Sequence, residues 1–328
     1  MATQDVAFLH RQLEDRKQRL EEAIAVAPQN SDLGALLRQV DSALERMSSG
    51  TYGLCKECHE TIERDRLLAD PLICYCLDHL TELQRKALQS DLDLAAQVQR
   101  NLLPPSGLRA NGWETSFHYA PLGPVSGDYC DLIPSEGGLF FVLGDVSGKG
   151  VAASMLMTQL HALFRSLTRM SLTLDEIVVL ANRVFCESAL AGHYATLICG
   201  QARPGGEVEI FNAGHLPAVA LQRRGVAQIE STGLPLGMFC EVSVSRTELH
   251  LDPGDLLFLF TDGFSEARRK DEEYGMERIA NLLRQQEGKC PAEVISACVH
   301  DLESFAEGPR FDDVTLLAIQ RAHGHRAA

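Results

Sequence analysis

The stretch LFFVLGDVSGKG, residues 139–150, runs five apolar side chains and a glycine into a carboxylate, Asp145, and then into a glycine-rich turn. An ionised carboxylate is expensive to bury, so an aspartate closing an apolar strand is a helix cap, an ion-pair partner or a metal ligand. The pattern recurs along the chain. DLLFLFTDG brings Asp262 just past a second apolar run, SGDYCDL carries Asp128, and FDDVTLL sets Asp312 and Asp313 immediately before the last apolar strand. Several carboxylates gathered at strand ends repel one another unless cations hold them. Oxygen-only ligands suit Mg²⁺ or Mn²⁺, and two such ions roughly 3.5–4 Å apart activate a shared water for in-line attack on phosphorus. No side-chain nucleophile is then needed, and the chain has no C-x5-R signature of a thiol phosphatase.

The chain around these motifs changes character twice. Leu9, Leu13, Leu20 and Ile24 mark a helical stripe within 6–27, the segment APQNSD breaks it, and Asn30, Ser31 or Asp32 caps a second helix lined by Leu33, Leu36, Leu37, Val40, Leu44 and Met47. The two fold back as a hairpin over residues 1–50. Residues 51–80 are rich in cysteine, a third helix with Leu88, Leu92, Ala95, Val98 and Leu102 on one stripe fills 81–103, and Pro104 and Pro105 stop it. Over 104–322 strands and helices arrive in blocks, which predicts an α+β layered domain, with VSVSRTELHL among the strands.

A net charge of −15 argues against a direct nucleic-acid partner or a hold on anionic lipid, although a local basic patch is compatible with it. No apolar run approaches a membrane span and the opening MATQDVAFLH is unlike a signal peptide, so the expected location is the cytoplasm. In that setting the ten cysteines read as free thiols and metal ligands, not disulfides.

Cys55 and Cys58 form a C-x2-C pair; Cys76 and His79 form C-x2-H after a spacer of seventeen residues. Two such knuckles fill a tetrahedral Zn²⁺ site and leave no position for water, which makes the ion structural. Cys74 is a spare ligand, and buried free thiols are the bland alternative. GTYGLCKECHETIERDRLLADP followed by CLDH resembles the TraR/DksA-type zinc finger over residues 33–80, with His79 where most members carry a fourth cysteine. That resemblance implies RNA polymerase as an alternative partner, reached through acidic residues at the hairpin tip, where this chain offers only Asp32.

SGDYCDL, GDVSGKGVAASML, NAGHLP, TDGFSEA and DDVTLL, in this order and spacing, resemble the SpoIIE-type serine phosphatases, the bacterial branch of the metal-dependent PPM protein phosphatases, over residues 100–320. The resemblance implies a PPM-type layered β-sandwich flanked by helices, preceded here by the helical hairpin and small zinc-finger domain. It also implies that Asp145 bridges two Mn²⁺ or Mg²⁺ ions, that the Val146 carbonyl holds one, and that Asp262 and Asp312 complete the other. Asp128 would bind directly or through metal waters, Asp313 would stand behind the ligands, and Ser126 replaces the family's usual glycine. The implied substrate is a phosphorylated anti-sigma-factor antagonist or a similar partner-switching protein. Lys149 is either a solvated lysine or a phosphate contact, and Asn212 and His215 brace a loop or act as acid and base. A helix with one apolar stripe must bury it, so the 81–103 connector is expected to pack against its own domain or to form a homodimer.

Overall fold

The computed structural model describes residues 3–26, 31–79, 82–188, 193–223, 225–241, 244–270, 272–306, 310 and 312–323. The chain divides into two compact units, 1–91 and 92–328.

In the first unit α1 (Thr3–Val26) and α2 (Ser31–Ser48) pack through Leu13, Val40 and Ala43, with Lys17 Nζ 2.7 Å from Asp41. The tip residues 27–30 and the side chains of Ser31 and Asp32 lie outside the described residues, and with them the expected cap and tip acid. Leu9 reaches the cysteine-rich segment, where it is buried with Cys55, Ile62, Leu67 and Cys76. That segment holds one short helix, α3 (Arg64–Ala69), and a single 3₁₀ turn at Leu77–His79. Its remaining order comes from tight turns, such as Cys55 N–H donating to Glu60 O at 2.8 Å and Lys56 N–H to Cys74 O at 2.9 Å.

The boundary between the units falls within α4 (Glu82–Leu102), whose expected start at Thr81 lies outside the described residues. Its anchoring face differs from the predicted stripe. Ala96 and Gln99 are buried and Leu92, Ala95 and Leu102 of the stripe are half-buried, whereas Leu88 and Val98 of the stripe are 44% and 51% exposed, as is Leu94 outside it at 60%. The buried amide of Gln99 outweighs apolar periodicity because it is hydrogen-bonded on both sides: Nε2 donates to Ser126 O at 2.7 Å and Oε1 accepts from Ser126 N–H at 3.0 Å.

The second unit is two antiparallel sheets face to face. One contains β1 (Arg109–Ala110) and β2 (Trp113–Ala120); the other opens with β3 (Asp128–Ser135), β4 (Gly138–Val146), β5 (Ala195–Ala202) and β6 (Glu207–Ala213). The chain then returns to the first sheet with β7 (Ala218–Gln222) and β8 (Gly225–Ile229), adds β9 (Thr247–His250) to the second, and closes the first with β10 (Leu256–Phe260). A separate ribbon, β11 (Arg268–Arg269) with β12 (Glu272–Glu273), precedes β13 (Val314–Arg321), and the two sheet orders are β1-β2-β13-β10-β7-β8 and β3-β4-β5-β6-β9. Leu139, Phe141 and Leu143 of β4 face the other sheet with Leu257, Leu259, Leu317 and Ile319. Phe140 and Val142 point outward onto α5 (Val151–Leu167) and α6 (Leu174–Ser188). On the far side Phe258, Phe260 and Leu316 meet α8 (Gly275–Gln285) and α9 (Pro291–Phe305), with the single-turn α7 (Asp262–Ser265) at the strand end. The central strands are covered on both faces, which is why they read as continuous apolar runs and not as alternation. The expected α+β sandwich between helical layers is thus the observed one.

Two local expectations fail, and one strand went unread. VSVSRTELHL pairs only over Thr247–His250, with 242–243 outside the described residues, and β8 has a half-exposed polar pattern that hid it. Cys186 and Cys240 form a disulfide between α6 and the loop before β9, where free thiols were expected. Their Cα atoms lie 5.5 Å apart, a separation that a disulfide requires and that a 54-residue gap in sequence concealed.

Candidate metal centre

Asp128 and Asp145 are direct partners across the β3–β4 pair. Asp128 is buried, and its Oδ2 accepts from Thr261 Oγ1 at 2.9 Å and Thr315 Oγ1 at 2.5 Å. Burial and the neighbouring Asp145 hold its carboxyl well above the usual range. Asp145 is pushed up to about 7, first by burial and then by Asp262, Asp312 and Asp313. Asp262 is raised by burial, Asp312 and Glu266. Asp128, Asp145, Asp262 and Asp312 therefore occupy one electrostatic neighbourhood, supplied by strand ends from both sheets.

Glycines set the clearances. A methyl on Gly127 would stand 3.0 Å from Val146 O and 3.2 Å from Asp145 Oδ1, so both oxygens look into one cradle that a side chain would fill. On Gly263 a methyl would overlap Asp313 O at 2.0 Å, which explains the glycine after Asp262. Oxygens only, two of them facing one cradle and several on raised carboxyls, fit a hard divalent cation.

The flanking residues divide by what they touch. Asp313 commits both carboxylate oxygens to the fold, accepting from Leu122 N–H at 2.6 Å, Ser126 Oγ at 2.6 Å and Gly127 N–H at 3.2 Å. Asp312 faces Lys149, Nζ to Oδ2 at 2.7 Å. His215 is a strut between the sheets: one ring nitrogen lies 3.0 Å from Thr196 Oγ1 on β5 and the other 3.1 Å from Phe260 O at the end of β10. Burial lowers its pKa to about 4, so the ring is neutral at pH 7 and joins the strand beside Asp145 to the strand before Asp262. Asn212 holds that turn through Oδ1, which accepts from His215 N–H at 2.8 Å.

A cleft of about 340 Å³ opens over Asp145 and Asp262, lined also by Thr196, His215, Tyr194 and Glu266. The sequence reading missed Thr261, Thr315, Thr196 and Glu266. Thr261, Thr315 and Glu266 lie within or beside recognised motifs, in TDG, DDVT and TDGFSEA, whereas nothing local marks Thr196.

In the first unit Cys55, Cys58, Cys76 and His79 bring their donor atoms within 4.8 Å of one another, with Cys76 Sγ 3.7 Å from Cys58 Sγ and 3.2 Å from His79 Nδ1. Burial alone would raise the Cys55 thiol, but backbone N–H groups of Cys58, Cys76 and Glu57 outweigh it and bring it down to about 6. Cys74 stands outside this set, its Sγ donating to Leu72 O at 3.5 Å.

The model of the stage II sporulation protein E (SpoIIE) family matches residues 135–322. Protein IcfG of Synechocystis is 28% identical over 263 residues, which cover 70% of this chain but only 41% of IcfG. Phosphoserine phosphatase RsbU of Bacillus subtilis is 22% identical over 240 residues, 72% of each chain. Among solved structures, the SiaA-PP2C domain of Pseudomonas aeruginosa superposes with a TM-score of 0.63 at 20% identity, covering 72% of this chain and 97% of that one. Its likeness is one of fold.

Proposed function

The chain belongs to the SpoIIE family, and from that premise we propose that it is a divalent-metal-dependent protein phosphatase acting on phosphoserine or phosphothreonine of a signalling protein. The observation that carries the reading is the gathering of Asp128, Asp145, Asp262 and Asp312 at strand ends around the cradle that Gly127 leaves open to Asp145 Oδ1 and Val146 O. Two Mn²⁺ or Mg²⁺ ions would be held by Asp145, the Val146 carbonyl, Asp262 and Asp312, with Asp128 contributing directly or through bound water. When bound, such ions activate a water and neutralise charge on a phosphoryl group. The chain's own residues do the positioning. Thr261 and Thr315 fix the rotamer of Asp128, Asp313 ties the Ser126–Gly127 turn to the β13 end, and neutral His215 fixes the spacing of the two sheets without adding charge.

RsbU, which matches along most of its length, is named a phosphoserine phosphatase, which supports phosphoserine as the target; as the substrate we propose an anti-sigma-factor antagonist, which the motif resemblance implies. The Cys55, Cys58, Cys76 and His79 set is assigned one structural Zn²⁺, within a TraR/DksA-type finger that regulates the phosphatase unit. Leu88, Leu94 and Val98 are exposed on α4, and a second copy covering them would make the helix a dimer-forming connector. No helix of the described residues is long and apolar enough to cross a membrane, and we place the activity in the cytoplasm.

Release of phosphate from a phosphoserine protein, with and without Mn²⁺, decides the activity. Metal-dependent turnover is expected, and no release at saturating Mn²⁺ sinks the proposal. For the connector, Leu94→Asp with Val98→Asp should give a monomer by light scattering with unchanged zinc content; a variant of the same mass as wild type removes the dimer.

A further inference from the structure

A second concave site lies wholly within the first unit. Arg38, Arg46, Lys56 and Arg66 line a cleft of about 540 Å³ with a single carboxylate, Asp70. Among the lining residues four cations stand against one anion, with Glu63 paired to Arg66 from behind, a reversal of the chain as a whole, whose net charge is −15. Like charges held around one cavity repel, and a bound anion is the usual relief.

The arginines differ in how they are held. Arg66 is fixed from behind, Nη1 lying 3.1 Å from both Glu63 Oε2 and Tyr75 O. Arg46 donates from Nε to Ser42 O at 3.4 Å and lies 5.6 Å from the Tyr52 ring centroid, yet its Nη1 is buried from solvent with no acceptor among the described residues. A buried guanidinium N–H without a partner is uncommon and marks a place where an acceptor belongs. Beside the cations, Leu72, Ile73 and Tyr75 form an apolar wall.

We propose that this cleft binds an organic polyphosphate, a molecule with two or more adjacent phosphates on an apolar or aromatic body, of which a nucleoside triphosphate is the representative class. Guanidinium forks match phosphate oxygens, and adjacent phosphates satisfy several cations at once where a single carboxylate would not. The volume falls within the range of small-molecule sites, roughly 300–1,000 Å³, and the apolar wall gives the body of the ligand a surface. An acidic protein segment spreads its carboxylates along an extended chain, whereas these cations line one concave cleft. The proposal stands apart from the phosphatase reading, since it uses no residue of the acidic centre.

The test is calorimetric titration of the full chain, without added Mn²⁺ or Mg²⁺, by ATP, GTP and tripolyphosphate at constant ionic strength. Under those conditions the acidic centre repels anions, so saturable binding reports the cleft. One site per chain is expected for a nucleotide, with tripolyphosphate weaker and sulfate failing to compete. Arg38→Glu with Lys56→Glu should weaken nucleotide binding by about tenfold or more while zinc content and far-UV circular dichroism stay as in wild type. Cys74 borders the same cleft, so bound nucleotide should also slow its alkylation in peptide mapping. Should the double variant misfold, Arg38→Gln with Lys56→Gln is measured against the same criterion. Absence of saturable binding by all three probes, or unchanged affinity in the folded variant, overturns the proposal. Competition by a polyglutamate peptide equal to that of ATP also overturns it, in favour of an acidic protein segment.

Discussion

Residues 55–79 supply four donors from two short turns of one segment, and their atoms all lie within 4.8 Å of one another. Among the described residues no other set of three or more such side chains is so compact. The aspartates of the second unit arrive instead from the ends of β3, β4 and β10 and from the turn before β13, in two different sheets. The contrast follows from charge. Thiol and imidazole groups crowd without electrostatic penalty until they ionise, so a few turns suffice to gather them. Carboxylates resist gathering, as the raised positions of Asp128, Asp145 and Asp262 show, and only a packed sandwich holds them near one another. With the proposed zinc bound, the thiol set is expected to help create its local fold, while the acidic set is expected to be imposed by a fold that stands without it.

The largest effect that difference predicts is at the proposed zinc site. Cys76→Ser should release the proposed zinc, and because structural zinc contributes about 10–16 kcal/mol in small fingers, residues 51–79 should lose amide protection while β4, β10 and β13 keep theirs. Hydrogen exchange with metal analysis makes the check. If protection in 51–79 survives loss of the metal, the small cluster of Leu9, Ile62 and Leu67 is holding the segment alone and the contrast fails.

Asp145→Asn and Asp262→Asn should do the opposite, lowering turnover by on the order of 10³-fold with the fold intact. A neutral amide relieves carboxylate repulsion, so the melting temperature without divalent metal should hold or rise. Either variant retaining wild-type turnover at saturating Mn²⁺ would contradict the assignment.

The comparison also explains what the sequence made legible. Strand ends carrying Asp145 and Asp262 stand out because a carboxylate after an apolar run needs a reason, and the cysteine spacing is local enough to read directly. The outward faces of β4 and β10 were legible as long apolar runs. What escaped is cross-chain geometry: Thr261 and Thr315 turned onto Asp128, His215 spanning two sheets, and Cys186 paired with Cys240. On α4 the apolar stripe was visible, but burial of the Gln99 amide is matched by Ser126, 27 residues further on, and no helical periodicity encodes that.

A smaller effect should appear with pH. The Asp145 carboxyl sits near 7, above its unfolded value, so the folded chain holds a proton that the unfolded chain has lost between about pH 4 and 7. That stabilisation is complete below the unfolded pKa and fades as pH rises through 7. Without divalent metal, melting of the second unit should fall from pH 5 to pH 8, and saturating Mn²⁺, which favours the ionised carboxylate, should flatten or reverse the slope. Parallel slopes with and without Mn²⁺ would place Asp145 away from the ion.

The smallest effect expected is at Lys149. Its side chain is 63% exposed and its ammonium lies 2.7 Å from Asp312 Oδ2, on a turn whose glycines Gly148 and Gly150 take φ values of 98° and 76°. Such a pair is screened by water and salt and adds little to stability. It does place a fixed positive charge beside a proposed metal ligand, where it competes with the cation. Lys149→Gln should therefore tighten Mn²⁺ activation by about two- to threefold at low salt, with the gain shrinking near 0.5 M salt as the Debye length falls. The Michaelis constant for the phosphoprotein separates the remaining roles, because a lysine that contacts phosphate would raise it in the variant, whereas a counter-charge to Asp312 would not. A raised Michaelis constant with unchanged Mn²⁺ activation would assign Lys149 to the substrate, and no change in either would leave it as a solvated surface lysine.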